Sequence, residues 1–342
     1  MYTIRIMKKI LLSFLLLFSY ALVAGSSVHD LYERGKSYYY GDTVEQDYSK
    51  AFNIFSHASK LDDIESQTAL GLMYIEGKGT KQDDKKGIAL LKKSAHLGHD
   101  KAQYILGSMY YLGIGGKRNF NIAFKWIKKA ATQGHMAAQK NLALMYEMGE
   151  GTKKNVELAK KWFFMAAKSG DADAQYKIAK FYLDNQKNED ALPWLLKAGK
   201  QGHAQAQYRL GSAVLQGIPP NYKASFDWYK KAYDAGIKEA AYPLANLYNQ
   251  GLGVKRDYHQ AYVLYQQAIK QGKLKAYLDI ARQYQKGQGV KKSLVKSFKY
   301  TLKAARAGYR IAQRKAAQMY LAGEGVEKSK KKAKYWSVKF KE

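Results

Sequence analysis

The chain of 342 residues contains no cysteine and only 4 prolines. Without cysteine it can form neither a disulfide framework nor a zinc-finger ligand set, and it has no thiol nucleophile and no cysteine for lipid attachment. The scarcity of proline, together with 46% hydrophobic residues, argues against a linker or a disordered chain. It predicts an ordered protein rich in helix.

Acidic residues are scarce as well. The 28 Asp and Glu stand against 58 Lys and Arg, which gives a formal net charge of +30. Such a charge favours anionic partners, among them an acidic protein surface, an anionic lipid or glycan, and nucleic acid. The charge alone does not choose among these partners.

Long apolar runs are absent beyond the N-terminus. There, Met7-Lys8-Lys9 precedes the apolar run ILLSFLLLFSY of residues 10–20, and small residues follow. This order is typical of a Sec-type signal peptide over residues 1–25, cleaved after Ala24, Gly25 or Ser26. An uncleaved anchor helix is the alternative, and the true start is Met1 or Met7. Cleavage predicts a periplasmic or secreted chain with no transmembrane segment and a net charge lowered by three basic residues from +30 to about +27.

One small residue recurs from residue 31 onward and marks an internal repeat. Its nine occurrences are 36 residues apart except for gaps of 32 and 34, and they are Gly35, Gly71, Gly107, Ala143, Ala179, Gly211, Ala245, Ala281 and Ala317. Three residues after the marker, eight of nine repeats carry a tyrosine: Tyr38, Tyr74, Tyr110, Tyr146, Tyr182, Tyr248, Tyr284 and Tyr320. The marker predicts a close approach of two helices. The tyrosine lies on the same helix face, where its ring can fill the gap between neighbouring repeats.

Glycines mark the ends of both predicted helices. Six residues after the marker, eight of nine repeats carry a glycine, which fits the left-handed position that ends a helix. A second glycine two residues later lets the loop reverse, and another stops the second helix. Nineteen residues after the marker an apolar or aromatic residue recurs, including Trp126, Trp162 and Trp336. Because neither helix of a pair can bury its apolar face alone, these tyrosines and tryptophans are predicted to form a continuous structural core.

The unit A-x-x-x-L-G-x-x-Y-x-x-G-x-G, followed by A-x-x-W-x-x-K-A-A-x-x-G, resembles the Sel-one-like repeat, a relative of the tetratricopeptide repeat. It is most complete at 102–134, 138–170 and 240–272, and its nine copies cover residues 31–342. The resemblance implies an all-α fold: a single α/α-solenoid over 26–342, with about nine helix-turn-helix repeats of period ~36 in a right-handed superhelix. It also implies a non-enzymatic scaffold or adaptor that binds another protein in the bacterial envelope or in a host.

Two departures from the family pattern matter. The cysteine-rich secreted subgroup closes each repeat with a disulfide, and because this chain has no cysteine, that subgroup's penicillin binding is not carried over. Repeats five and six are shortened, at Phe181–Asp190 and at Gln216–Asn221. The shortening predicts either a local change of curvature or a loop deletion without consequence. Pro193 is expected in the first turn of its helix, where proline is tolerated.

Two surfaces are candidates for partner binding. Ten and eleven residues after the marker, four repeats carry a pair of cations that should line one edge, called here the basic ridge: Lys117, Arg118, Lys153, Lys154, Lys255, Arg256, Lys291 and Lys292. The ridge is either a solvated edge that keeps the chain soluble or a surface for cell-wall glycan, lipopolysaccharide or acidic polysaccharide. The other candidate is the concave face of the first helices, where Lys180, Arg209 and Arg282 are expected to contact a protein partner. Among the aromatic residues, Tyr39, Tyr40 and Tyr111 are surface candidates.

Catalytic and metal sites are not predicted. The glycine-rich loops do not match the phosphate-binding pattern G-x-x-x-x-G-K-(S/T). His99, His135 and His203 recur between repeats, but equivalent positions lie about 8–10 Å apart, too far for one zinc ion, so they are interpreted as polar loop residues or caps. The acidic pairs are assigned to loops and helix starts: Asp83-Asp84, Glu189-Asp190 and Glu147/Glu150. The prediction is therefore no enzyme, no metal and no cofactor, with nucleic acid an unlikely partner for an exported chain.

Overall fold

The computed structural model describes residues 27–217 and 219–341. The predicted signal peptide at 1–25, and the anchor helix that is its alternative, lie outside these residues. In this part of the chain, 18 α-helices and one short 3-10 turn are joined by tight loops, and there is no β-strand. The prediction of an all-α solenoid of about nine tandem repeats is confirmed.

The helices form nine successive pairs, and the first and second helix of each pair are called the A helix and the B helix. They are α1 (Val28–Tyr40), α2 (Tyr48–Lys60), α3 (Ile64–Glu76), α4 (Asp84–His96), α5 (Asp100–Leu112), α6 (Phe120–Thr132), α7 (Met136–Met148), α8 (Val156–Lys168), α9 (Ala172–Asp184), α10 (Asn188–Lys200), α11 (Ala204–Gln216), α12 (Tyr222–Asp234), α13 (Ala241–Gln250), α14 (Tyr258–Lys270), α15 (Lys275–Lys286), α16 (Leu294–Arg306), α17 (Arg310–Ala322) and α18 (Lys330–Lys341). Odd numbers are A helices and even numbers are B helices.

The described residues fall into two compact units. Residues 27–171 form the N-terminal unit of four helix pairs, and residues 172–341 form the C-terminal unit of five. In both units the small marker residue is buried where the A helix crosses its B helix. A methyl group added at Gly107 would lie 2.7 Å from Cγ1 of Ile127 and 3.2 Å from the carbonyl oxygen of Ala123. The close helix approach predicted from the marker is therefore confirmed at this position.

The glycine six residues after the marker ends the A helix in the left-handed conformation in seven repeats, for example at Gly113 with φ 80° and Gly149 with φ 80°. The two shortened repeats depart from this rule. Gly217 is in the extended region of the backbone map, with φ −62°. In the repeat without a glycine the left-handed residue is Gln186, with φ 58°. The helix ends are thus set locally by backbone chemistry, as the glycine pattern predicted.

The second loop glycine contacts the preceding repeat. A methyl group at Gly151 would overlap the carbonyl oxygen of Phe120, the first residue of the preceding B helix. Gly325 has the same relation to the carbonyl of Leu294. This glycine therefore does more than let the loop reverse, because it also permits successive repeats to come into backbone contact.

A backbone hydrogen bond closes the loop between the two helices of each repeat. The N–H of the residue before the B helix donates to the carbonyl three residues after the marker, as in the bond from Asn119 to Tyr110 at 2.8 Å. The shortened loops keep this bond, from Lys187 to Tyr182 at 2.9 Å and from Asn221 to Val214 at 3.0 Å. The deletions therefore shorten the loop without changing how the B helix is attached.

The position predicted for Pro193 is wrong. Helix α10 begins at Asn188, with Lys187 as its N-cap, so Pro193 is the sixth residue and lies inside the helix. There it lacks the N–H that would bond to the carbonyl of Glu189, four residues earlier. The helix was predicted to start at the acidic residues, but because the loop is shortened the helix starts earlier.

Candidate functional site

The repeated tyrosines lie at the joint between neighbouring helix pairs. Tyr146 packs edge-on against Phe124 of the preceding B helix with ring centroids 5.4 Å apart, and Tyr320 does the same with Phe298 at 5.0 Å. Three are buried, namely Tyr146, Tyr284 and Tyr320. The others are half-buried, namely Tyr38, Tyr74, Tyr110, Tyr182 and Tyr248. The row is thus largely covered by packing and leaves little aromatic surface for stacking a ligand.

Tryptophan occupies the seventh position of five B helices. Trp336 is buried and Trp126 and Trp162 are half-buried. The other two, Trp194 and Trp228, were not predicted, because the shortened loops change their distance from the marker. Counting from the start of the B helix would have found them. A lysine ammonium covers several of these rings, at 4.6 Å from the centroid of Trp126 and 4.8 Å from those of Trp194 and Trp228.

The basic ridge consists of exposed side chains. All eight are exposed: Lys117, Arg118, Lys153, Lys154, Lys255, Arg256, Lys291 and Lys292. Within the described residues none of them forms an ion pair. The next residue caps the B helix, and in three of the four loops it is neutral: Asn119, Asn155 and Ser293. Only Asp257 places a carboxylate beside its ridge pair. The ridge therefore carries little compensating negative charge.

The three cations predicted on the A-helix face are exposed and lie in the C-terminal unit: Lys180, Arg209 and Arg282. Arg282 forms a 3.4 Å ion pair with Asp279, whose pKa is raised mainly by burial. Lys315, which was not predicted, is a half-buried lysine. Its pKa is lowered by burial and by the nearby Arg282. The positive charge of Lys315 is therefore partly desolvated.

Two of the three recurring histidines cap a helix with their side chains. Nδ1 of His135 and of His203 accepts the N–H three residues on, at 3.2 Å in both cases. Nδ1 of His99 lies 2.8 Å from the Thr68 hydroxyl. No cluster of three or more His, Asp or Glu side chains suited to a metal occurs in the described ranges.

Most of the acidic pairs lie where they were predicted. Asp83 caps α4, and Glu189 and Asp190 lie in the first turn of α10. Glu147 is the exception: it lies in the last turn of α7, not in a loop or helix start. Its assignment was wrong because α7 continues to Met148, one residue before the glycine that ends it.

The A-helix face of the N-terminal unit has an apolar edge that the sequence analysis only partly found. Five residues after the marker, three of the four A helices of this unit carry a large exposed side chain, Tyr40, Leu112 and Met148, which are 61%, 60% and 61% exposed, whereas α3 carries Glu76. The predicted surface aromatics lie beside this edge, and their hydroxyls bond across repeats. Tyr39 donates to Glu76 at 2.9 Å, and Tyr111 donates to Glu150 at 2.7 Å. In the C-terminal unit the same position carries Asp184, Gln216, Gln250, Lys286 and Ala322.

This architecture agrees with comparisons to known proteins. The family model of the Sel1 repeat matches nine times, at residues 29–63, 64–99, 100–135, 137–171, 172–203, 204–237, 238–273, 274–309 and 310–339. The chain belongs to the Sel1 repeat family. Proteins of this family are generally scaffolds for protein–protein interaction and are typically non-enzymatic.

Two solved structures are similar over much of the chain. One is c5321, a protective antigen of uropathogenic Escherichia coli strains with an SLR fold, at 26% identity and a TM-score of 0.63, covering 92% of this chain and 68% of the other. The second is a Sel1 repeat protein from Oxalobacter formigenes, at 30% identity and a TM-score of 0.55, covering 61% and 88%. No protein with a curated function matches significantly. Within the described residues, no helix is both long and apolar enough to cross a membrane.

Proposed function

We propose that the protein is an exported, non-enzymatic scaffold that binds another protein through the A-helix face of its N-terminal unit. The observation that carries this proposal is the apolar edge formed by Tyr40, Leu112 and Met148. Leu112 and Met148 are exposed in register on the neighbouring A helices α5 and α7, and adjacent large apolar side chains are typical of an interaction surface, whereas scattered apolar residues are ordinary. The family's general role in protein–protein interaction supports the same conclusion.

Export rests on the sequence of residues 1–25, which has the order of a secretory signal peptide. The proposed location is the periplasm or the medium, and the similarity to a protective antigen of Escherichia coli supports contact with a host. Mass spectrometry of the native protein tests this step. A mature N-terminus after Ala24, Gly25 or Ser26 in the periplasmic or secreted fraction is expected. A chain that keeps Met1 or Met7 and stays in the cytoplasm contradicts export.

Scaffold function is tested by capture with matched variants. The full mature chain, cross-linked in native envelopes, should retain the same partner set in wild type and in Leu97→Asp. Leu97 is 56% exposed in the loop after α4, away from the apolar edge, and therefore serves as control. The double variant Leu112→Asp, Met148→Asp should lose those partners while its helical circular dichroism stays unchanged. Equal capture by the double variant and the control would contradict the assigned surface.

A second candidate function is polyanion binding by the basic ridge, on cell-wall glycan, lipopolysaccharide or acidic polysaccharide. The specific observation in its favour is that each unit carries two pairs of exposed ridge cations without ion pairs. Alanine at Lys153, Lys154, Lys255 and Arg256 should weaken binding to an anionic polysaccharide without changing stability, because the side chains are exposed. Binding by this mode must fall steeply with added salt, since screening acts over about 8–10 Å at physiological ionic strength. Salt-insensitive binding excludes it.

A further inference from the structure

A pocket lies between α5 and α7 on the A-helix face of the N-terminal unit. Its volume is about 300 Å³, and its walls come mainly from Tyr104, Tyr111, Leu112, Ile127, Leu144 and Met145. Ile127 and Met145 are each 1% exposed, so they form a fixed apolar floor. Exposed Leu112 stands at the rim, which places the pocket on the apolar edge described above.

The polar groups in this pocket are three hydroxyls, an amide and one carboxylate, and not all of them have partners. The Ser108 hydroxyl is buried and has no hydrogen-bond partner. The Asn141 amide donates to the Tyr104 hydroxyl at 3.3 Å. Glu150 uses Oε2 to accept from Tyr111, while its Oε1 accepts no hydrogen bond from the described residues. Unlike the Ser108 hydroxyl, this carboxylate oxygen is open to solvent, and it is available to accept from a ligand N–H or O–H.

The charge of the pocket is unusual for this chain. Lys and Arg outnumber Asp and Glu by 58 to 28, yet no cation lines the pocket and Glu150 does. Another cavity of the N-terminal unit, against α1 and α3, is lined by Lys36 and Lys101 as well as by Glu65. An anionic group would meet only the Glu150 carboxylate here. This lining favours an apolar group that carries a hydrogen-bond donor.

We propose that this pocket receives a tryptophan side chain of the partner protein, with the indole N–H donating to Oε1 of Glu150. Indole fits because it combines a large flat apolar surface with a single donor and no acceptor that would oppose the carboxylate. Met145 lies in the floor, and thioethers make favourable contacts with aromatic rings. Tryptophan is also among the side chains that most often anchor protein interfaces. This inference rests on the proposed scaffold function, because it names the chemistry of that partner.

The test is a titration of the full mature chain with N-acetyl-tryptophanamide, followed by amide NMR shifts. A roughly millimolar dissociation constant is the scale expected for a ligand of this size. Shifts should centre on Ser108, Leu144 and Glu150. N-acetyl-phenylalaninamide and the 1-methyl-tryptophan analogue lack the indole donor. Their affinity should be lower by a factor of about ten or more. Ser108→Phe, which fills the pocket, should abolish binding, whereas Ser108→Ala, which leaves the cavity open, should retain it.

Several outcomes would overturn the assignment. Equal affinity for the tryptophan and 1-methyl-tryptophan compounds would show that the indole N–H does not donate to Glu150. Unchanged binding by Glu150→Ala would show the same. Shifts that appear outside the pocket, or no saturable shift at millimolar concentrations, would exclude it as an indole site. If Ser108→Phe fails to fold, Glu150→Ala decides the matter alone. Partner capture that still depends on Leu112 and Met148 while tryptophan binding fails would leave the scaffold function standing and reject only this pocket.

Discussion

Two glycines in the N-terminal unit allow the cost of a left-handed backbone to be measured apart from the cost of a contact between repeats. Gly134 follows α6 with φ 96°, and a methyl group there would meet nothing within 4 Å. Gly151 has φ 66°, and its methyl group would overlap the Phe120 carbonyl and lie 3.0 Å from Cβ of Phe124. Alanine at Gly134 therefore tests the left-handed backbone alone. Alanine at Gly151 tests the same backbone together with the contact to the preceding repeat.

The expected costs differ in a defined way. A non-glycine residue in the left-handed region costs about 1–2 kcal/mol, which is the whole effect expected for Gly134→Ala. Overpacking against a neighbour adds about 1–3 kcal/mol, so Gly151→Ala should cost about 2–5 kcal/mol. The neighbour at Gly151 is a backbone carbonyl at the start of α6 rather than a flexible side-chain end, so it cannot easily move away.

Urea denaturation of the mature protein, followed by circular dichroism, measures both variants. The midpoint should fall further for Gly151→Ala than for Gly134→Ala. Repeat arrays can unfold in parts, so the comparison uses the earliest transition in each curve. Equal losses in the two variants would refute the reasoning, because they would show that the helix-ending conformation alone selects glycine at both sites.

Three further predictions concern stability. Tyr146→Ala should cost about 3–5 kcal/mol in urea denaturation, because the ring is buried; a cost below about 1 kcal/mol would place the ring at the surface. Pro193→Ala should raise the melting temperature of the C-terminal unit, because it restores a helix hydrogen bond; an unchanged or lower value would contradict this. Burial lowers the pKa of His99 and of His135 below the ordinary 6.5. The neutral forms therefore stabilise the fold above about pH 6.5, and this contribution is lost as pH falls toward the lowered values. Thermal melts over a series of pH values test this, with both histidines replaced by Asn. If the melting temperature of the variant still falls with pH as steeply as in the wild type, these histidines are not the source of the fall.

Much of the repeat was predictable because its signals are local. A glycine such as Gly113 ends a helix through its own backbone freedom, and the marker Gly107 is required where one helix crosses its partner. The backbone hydrogen bond that attaches each B helix joins residues only five to nine positions apart, as from Lys187 to Tyr182 and from Asn119 to Tyr110. The hydrogen bond recurs in all nine repeats and the left-handed glycine in seven, so the period of the chain already determines helix order and the all-α solenoid.

Other features depended on side chains that stacking alone brings together. The sequence could not show that Tyr111 reaches Glu150, 39 residues later, or that a pocket opens beside them. It also left open which cations are paired: Arg282 is bound to Asp279, whereas Lys153 is exposed without an ion pair. The sequence by itself therefore determined the scaffold and its charge. Only the tertiary structure decided which surface is apolar and which charges are free, because the exposed positions that the fold does not constrain differ between neighbouring repeats.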